Sequence, residues 1–123
     1  MSKELVYYVP GVEYVSKQKH LLFLQKNGFD ISRVNTLDNL ATKVSTVNPI
    51  AVILNDDTLI TEILPLIDST PVIVLSKTPK NIVEVTSTFP AEMKNLIFFR
   101  TESDPIDTVV ETVRLILDMK SGD

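Results

Sequence analysis

The sequence predicts a three-layer α/β fold with a five-stranded parallel sheet in the order 2-1-3-4-5 and helices on both faces. Short apolar segments alternate with segments of helical periodicity, which is the pattern of parallel strands joined by helical crossovers. Residues 50–54 are apolar at every position, as expected of a strand buried on both faces. The length of 123 residues fits one domain, 1–123.

The first half of the chain predicts three strands and two helices. The strands are expected over residues 5–9, 29–34 and 50–54, and the alternation in the second places it at an edge of the sheet. A helix over residues 14–27 precedes Gly28, which suits a left-handed cap. Thr36 is a favourable N-cap for the second helix, which ends at Asn48-Pro49.

The second half predicts two strands and three helical segments. Residues 59–67 should form a short or irregular helix because Pro65 interrupts them. Strands are expected over residues 71–77 and 95–100, and a fourth helix over residues 78–88. The last helix opens at Asp104, and its apolar stripe consists of Ile106, Val109, Val110, Val113, Ile116 and Leu117.

Composition excludes several functional classes. The chain has no Cys and a net charge of −4, so disulfides, thiolate nucleophiles and Cys-based zinc sites are excluded. Its 12 Lys and Arg residues are scattered, which disfavours nucleic-acid binding by this domain. No apolar run approaches the roughly 18 residues of a membrane span. We therefore expect a soluble, cytoplasmic protein without membrane insertion.

Three short segments together carry a family resemblance. They are residues 48–55 (NPIAVILN), residues 71–76 (PVIVLS) and residues 26–29 (KNGF). In this order and spacing they resemble the third strand, the fourth strand and the first helix–second strand junction of the receiver domains of bacterial response regulators. The resemblance covers nearly the whole chain. It implies a flavodoxin-like fold and a signalling role of the two-component phosphorelay type.

The resemblance also implies a phosphoryl-accepting site, and the sequence departs from it. The family has two acids after the first strand that hold Mg²⁺, but here Val9-Pro10 follow Tyr7 and Tyr8. The family's Lys after the fifth strand has no match, and Arg100 is the nearest cation. A carboxylate accepts a phosphoryl group only where cations and donors offset the repulsion. We therefore expect a pseudo-receiver, not an enzyme, with no cofactor and no metal.

The candidate phosphoacceptor region has three interpretations. The acceptor position falls on Asn55, and Asp56 and Asp57 follow it. These residues could form a helix N-cap and turn, a degenerate site, or a live site in which Asp56 accepts the phosphoryl group. The last is the alternative function, a phosphoaccepting receiver with a rearranged site. In that case Glu13 and Asp56 would hold Mg²⁺.

Two further residues match or replace members of the family site. Ser76 matches the family's Ser or Thr, although it also suits an ordinary strand-to-helix turn. Arg100 could bind phosphate or remain a solvated surface cation. A small enzyme or nucleotide binder of the same architecture is less favoured, because Gly11, Gly28 and Gly122 do not form a phosphate cradle.

The sequence also offers a candidate partner surface. One of Phe98 and Phe99 should face inward and the other outward. Leu115 and Met119 lie off the main stripe of the last helix. Together these four residues predict a surface at the fourth helix, fifth strand and fifth helix, for a protein partner or for self-association.

Three other residues receive structural interpretations. Tyr7 and Tyr8 lie in a buried strand, so we expect them to pack in the core. His20 has no obvious partner in the sequence, so we expect it to be partly exposed and inert.

Overall fold

The sheet has the predicted topology. The computed structural model describes residues 4–9, 18–54, 59–67, 69–76, 97–101 and 107–121. Five parallel strands lie in the order β2-β1-β3-β4-β5, with helices on both faces. The strands are β1 (Glu4–Tyr8), β2 (Asp30–Val34), β3 (Val52–Leu54), β4 (Val72–Ser76) and β5 (Ile97–Thr101). The three-layer, flavodoxin-like α/β prediction is confirmed.

The helices also follow the predicted order. They are α1 (Gln18–Lys26), α2 (Leu37–Val47), α3 (Ile60–Ile63) with a 3-10 turn at Leu64–Leu66, and a C-terminal helix (Asp107–Ser121). The predicted start of the first helix and the helix over residues 78–88 lie outside the described residues. No helix in the described ranges is long and apolar enough to cross a membrane.

Alternating strand residues divide the interior into two cores. Leu5 and Tyr7 pack with residues of α1 and the C-terminal helix, which we name the α1-side core. Val6 and Tyr8 pack with residues of α2 and α3, which we name the α2-side core. Successive side chains of a strand point to opposite faces, so an uninterrupted apolar run supplies both cores. Every residue from 50 to 54 is at most 2% exposed.

Gly28 ends α1 through backbone hydrogen bonds. Its φ is +92°, and its N–H donates to the Gln25 carbonyl at 3.1 Å. The Phe29 N–H donates to the Leu24 carbonyl at 3.2 Å. This pair of bonds is a Schellman motif, and the two apolar side chains that accompany it lie in the α1-side core. The predicted left-handed cap is confirmed, and it sets the direction in which β2 starts.

Both ends of α2 lie where they were predicted and are capped, at the N-terminus by the predicted Thr36. Thr36 Oγ1 accepts a hydrogen bond from the Asn39 N–H at 3.1 Å, which satisfies one of the free donors at the helix N-terminus. At the other end Asn48 adopts φ 53°, and its N–H donates to the Val44 carbonyl at 3.1 Å. Asn tolerates this left-handed conformation better than most residues, so the chain turns there into β3.

The segment after β3 is helical only briefly, as Pro65 predicted. The α-helix covers four residues and then tightens to a 3-10 turn that contains Pro65. Leu59 is the N-cap of α3 and gives no side-chain hydrogen bond. Asn55, Asp56 and Asp57 lie outside the described residues, so their interpretation as a helix N-cap and turn stays a prediction.

The C-terminal helix buries the predicted stripe. Val109, Val110, Val113 and Ile116 are at most 3% exposed, while Leu117 is half-buried and Ile106 lies outside the described residues. Thr112 is also buried. Its hydroxyl donates to the Thr108 carbonyl at 2.8 Å, which makes burial of a polar side chain tolerable. The Arg114 guanidinium donates to Asn27 Oδ1 at 3.4 Å and so links this helix to the end of α1.

Candidate functional site

The carboxyl ends of the strands form the edge at which parallel α/β sheets usually hold their sites. The strand register fixes which residues stand level at this edge. Tyr8 pairs with Leu54, Leu54 with Val74, and Val74 with Phe99. Any site at this edge would therefore be assembled from the residues that follow these four in the chain.

The described residues at this edge are mostly buried and apolar. Val9 follows Tyr8 and is 7% exposed, Leu54 is fully buried, and Leu75 is 2% exposed. The Val9 N–H donates to the Val34 carbonyl at 3.0 Å, so the first strand's pairing with β2 extends one residue further. Within the described residues, no three His, Cys, Asp or Glu side chains are grouped so that they could hold a metal ion.

Several predicted site residues cannot be placed against this edge. Asn55, Asp56, Asp57 and Glu13 lie outside the described residues. In the sequence, residues 55–57 directly follow β3, and Glu13 lies between β1 and α1. The contacts of all four residues remain predictions.

Ser76 and Arg100 are described through their backbones only. Leu75 pairs with Arg100 and Ser76 pairs with Thr101. The sheet therefore brings the backbones of Ser76 and Arg100 to within one register step of each other on adjacent strands. Ser76 ends β4 and Arg100 is the penultimate residue of β5, and the roles of their side chains remain predictions.

Tyr8 places a weakly acidic group near this edge. It is 3% exposed, and burial raises the pKa of its hydroxyl above 10.0, with a further increase from the nearby negative charge of Glu62. Tyr8 is therefore neutral at physiological pH. Glu62 lies on α3 and is exposed. The proximity of Glu62 to the end of β1 was not predicted, because it depends on how α3 packs in the α2-side core.

The candidate partner surface is described in part. Phe98 is half-buried and packs against the α1-side core, so it is the inward-facing member of its pair. Leu115 and Met119 are 48% and 45% exposed. They stand four residues apart, which places them on one side of the helix. The Phe99 side chain lies outside the described part of the molecule.

Tyr7 lies in the α1-side core and is fully buried. Its hydroxyl has no hydrogen-bond partner among the described residues. Burial raises the pKa of this hydroxyl to about 12, although the positive charge of Arg33 acts in the opposite direction. Core packing was predicted, but the unsatisfied hydroxyl was not. Its surroundings come from strands and helices distant in sequence.

His20 contradicts its prediction. It is 2% exposed rather than partly exposed. The reason is its position on α1, one residue from Leu21 and one turn before Leu24, both of which lie in the α1-side core. At helical spacing His20 therefore shares the inward-facing side of the helix.

A small charged cluster joins β1, β2 and α2 at the opposite end of β1. Lys43 Nζ lies 3.3 Å from Glu4 Oε1, and the Ser32 hydroxyl donates to the same oxygen. Glu4 is half-buried. The ion pair and the hydrogen bond therefore stabilise its carboxylate more than they would stabilise a fully solvated one. The cluster positions α2 against the sheet and lies away from the carboxyl edge.

Comparison with known proteins gives structural relatives only. No protein-family model and no curated protein matches the sequence. Solved receiver domains match the fold over almost the whole chain. A response regulator receiver protein from Sinorhizobium medicae is 10% identical, covers 95% of each chain and has a TM-score of 0.66.

Two other solved structures agree with this match. The N-terminal domain of a response regulator/sensory box/GGDEF 3-domain protein from Carboxydothermus hydrogenoformans is 15% identical, covers 97% of each chain and has a TM-score of 0.63. The BeF3-activated N-terminal receiver domain of Klebsiella pneumoniae RstA is 15% identical, covers 93% of this chain and 97% of its own, and has a TM-score of 0.64. At these identities the similarity shows that the chain shares the fold of receiver domains.

Proposed function

We propose that this chain is a receiver-like signalling domain of the two-component type that acts by binding protein, without phosphoryl chemistry. The observation that carries the proposal is the apolar carboxyl edge. Tyr8 and Leu54 are level on β1 and β3, and the residue that follows Tyr8 is the buried Val9. In the receiver resemblance, this is where an acid that holds Mg²⁺ would stand.

Physical chemistry favours the loss of phosphoryl transfer at such an edge. A divalent cation needs several oxygen ligands at close range, and a valine and a proline provide no side-chain oxygen. Without the cation, a carboxylate on the next strand would repel an incoming phosphoryl group. The acceptor position itself carries Asn55, whose amide is a far weaker nucleophile than a carboxylate.

Intact mass measurement tests this part of the proposal. The protein is incubated with acetyl phosphate and Mg²⁺, and its mass should not change. A receiver domain with a working site, treated in parallel, shows that the reagent is active. A gain of one phosphoryl group, lost in Asp56→Ala, would overturn the proposal and establish the alternative, a phosphoaccepting receiver with a rearranged site.

The proposed partner surface is centred on Leu115 and Met119. Both are about half exposed, whereas Arg114 on another side of the same helix is engaged with Asn27. Large exposed apolar side chains that stand together often mark a contact with protein. Phe99 lies on β5, the strand that precedes this helix, and we include it in the proposed surface, whereas Phe98 packs against the α1-side core.

A double variant tests the surface. Leu115→Ser with Met119→Ser should abolish capture of the partner from an extract of the native cells, or should convert a self-associated protein to monomer in analytical ultracentrifugation. Asp38→Asn is the control, because Asp38 is exposed on α2, which packs on the opposite face of the sheet from this helix. Unchanged capture and unchanged association in the double variant would remove Leu115 and Met119 from the interface.

A further inference from the structure

Asn27 and Gly28 form the only Asn-Gly pair in the sequence. Such a pair is prone to cyclise, because glycine has no side chain to hinder the approach of its own nitrogen to the preceding side chain. Every other asparagine of the chain precedes a larger residue. Gly28 is exposed and Asn27 is half-buried, so water reaches both residues.

The reaction open to this pair is deamidation through a cyclic imide. The Gly28 nitrogen attacks Cγ of Asn27, the new N–C bond replaces the Cγ–Nδ2 bond, and the amide nitrogen leaves as ammonia with the Gly28 proton. Water then opens either carbonyl of the ring and gives aspartate or isoaspartate at position 27. The reaction needs no cofactor. It does require the Asn27 side chain to turn and the Gly28 nitrogen to lose its proton.

The fold restrains both reacting groups. Asn27 Nδ2 donates to the Phe23 carbonyl at 2.8 Å, and Asn27 Oδ1 accepts a hydrogen bond from the Arg114 guanidinium at 3.4 Å. The Gly28 N–H donates to the Gln25 carbonyl at 3.1 Å. The side chain that must turn and the nitrogen that must attack are therefore each held by hydrogen bonds, and one of these bonds comes from the C-terminal helix.

We propose that Asn27 is a deamidation site whose rate is set by the opening of the last turn of α1, and that the contact from Arg114 of the C-terminal helix slows this opening. When the turn opens, the hydrogen bonds of Asn27 and Gly28 break and the ring can close. Segments at helix ends open more readily than buried strands and helix centres. The folded protein therefore converts slowly, at a rate that reports how often this end of α1 is open.

The product weakens the contact that protects the site. A carboxylate at position 27 cannot donate to the Phe23 carbonyl, and its charge lies at the negative end of the α1 dipole. Arg114 is exposed, so the charge pair that the carboxylate gains with it contributes little. Conversion at Asn27 should therefore loosen the end of α1 from the C-terminal helix.

Peptide mapping by mass spectrometry tests the proposal on the intact chain. The protein is incubated at mildly alkaline pH, folded or unfolded in urea, and is then digested with pepsin at low pH, which stops further cyclisation. Conversion of Asn27 should be at least about tenfold slower in the folded protein than in urea, as local opening predicts. In urea, Asn35 and Asn39 should convert far more slowly than Asn27. Equal rates in folded and unfolded protein, or no conversion of Asn27 in urea, would overturn the proposal.

Two variants test the role of the C-terminal helix. Arg114→Ala should raise the rate in the folded protein about twofold to fivefold, the effect of losing one exposed hydrogen bond to a charged group, and should leave the rate in urea unchanged. Lys43→Ala is the matched control, because it also removes a partnered cation, but on the opposite face of the sheet. It should convert as the unmodified protein does. An unchanged rate in Arg114→Ala, or an equal acceleration in Lys43→Ala, would refute this role.

Asn27→Asp measures the consequence of the modification. Loss of the hydrogen bond to the Phe23 carbonyl should lower the ratio of folded to unfolded protein about fivefold, which urea denaturation measures. An unchanged or higher ratio would show that conversion does not loosen α1. These outcomes are independent of the proposed signalling function.

Discussion

Replacing Tyr7 with Phe should stabilise the protein, which is an unusual result for a substitution in a packed core. The Tyr7 ring is fully buried, and its hydroxyl lacks a partner among the described residues. Burying a hydroxyl without a hydrogen bond costs about 1–3 kcal/mol, while the aromatic ring of Phe fills the same volume. We therefore expect the free energy of unfolding of Tyr7→Phe to rise by about 1–2 kcal/mol at neutral pH.

The assay is urea denaturation, supported by thermal unfolding. For a chain of this length, the expected gain corresponds to a rise in Tm of about 4 °C per kcal/mol. Tyr8→Phe is the matched control, since Tyr8 is buried on the other face of the same strand. The Tyr8 hydroxyl is not among the buried, unpartnered side-chain atoms of the described residues, so Tyr8→Phe should not raise the free energy of unfolding. A loss of more than about 1 kcal/mol in Tyr7→Phe would show that the hydroxyl has a partner.

The alkaline pH dependence gives the same prediction a second test. The pKa of Tyr7 is raised from 10.0 to about 12 in the folded protein. Below pH 10 the residue is neutral in both states and adds no pH dependence. Between pH 10 and 12 the unfolded chain releases the proton first, so stability falls by about 1.4 kcal/mol per pH unit. Tyr7→Phe should lack this part of the decline, and an identical decline in both proteins would contradict the assignment.

Three further substitutions test the local structure by urea denaturation. Thr36→Ala removes the N-cap of α2 and should lower the free energy of unfolding by about 1 kcal/mol. Thr36→Ser keeps a capping hydroxyl and should lose only a small part of this stability. Equal losses in the two variants would contradict the capping role. Gly28→Ala forces a side chain to adopt φ +92° and should cost about 1 kcal/mol although the space is open; a neutral result would refute the strain. Leu24→Ala opens a cavity at a fully buried position and should lower the free energy of unfolding by about 2–5 kcal/mol. Leu115→Ala, at an exposed position, should change it little. Similar losses in the two variants would show that burial does not decide the size of the loss.

Local signals in the sequence predicted the fold well. The apolar run before Asn55 predicted a central strand, because burial on both faces leaves no room for polar residues. Gly28, Thr36 and Asn48 marked the helix ends through their own conformational or hydrogen-bonding preferences. Pro65 predicted a broken helix because proline cannot donate to the preceding turn. Each of these preferences depends only on residues that are close together in the chain, so it can be recognised from one sequence without knowledge of the tertiary packing.

Features that depend on tertiary packing were missed. The burial of His20 follows from how α1 sits on the sheet, and the proximity of Tyr7 to Arg33 follows from the pairing of β1 with β2. Glu62 approaches Tyr8 because α3 packs in the same α2-side core as Tyr8. The candidate site at Asn55 and Asp56 was predicted from resemblance alone, and its residues lie outside the described ranges. The predicted strand order around them is confirmed, but their chemistry is a proposal.

Magnesium titration of the intact protein, followed by backbone amide shifts, tests the central claim most directly. The reporters are Val9, which directly follows β1, and Leu54, which ends β3; in the receiver resemblance the ion would be held beside these two strand ends. We predict that their amide signals stay unchanged as MgCl₂ is added, beyond the small uniform drift that NaCl of equal ionic strength also causes. Saturable shifts at both residues, reversed by a chelator and abolished in Asp56→Asn, would contradict the account.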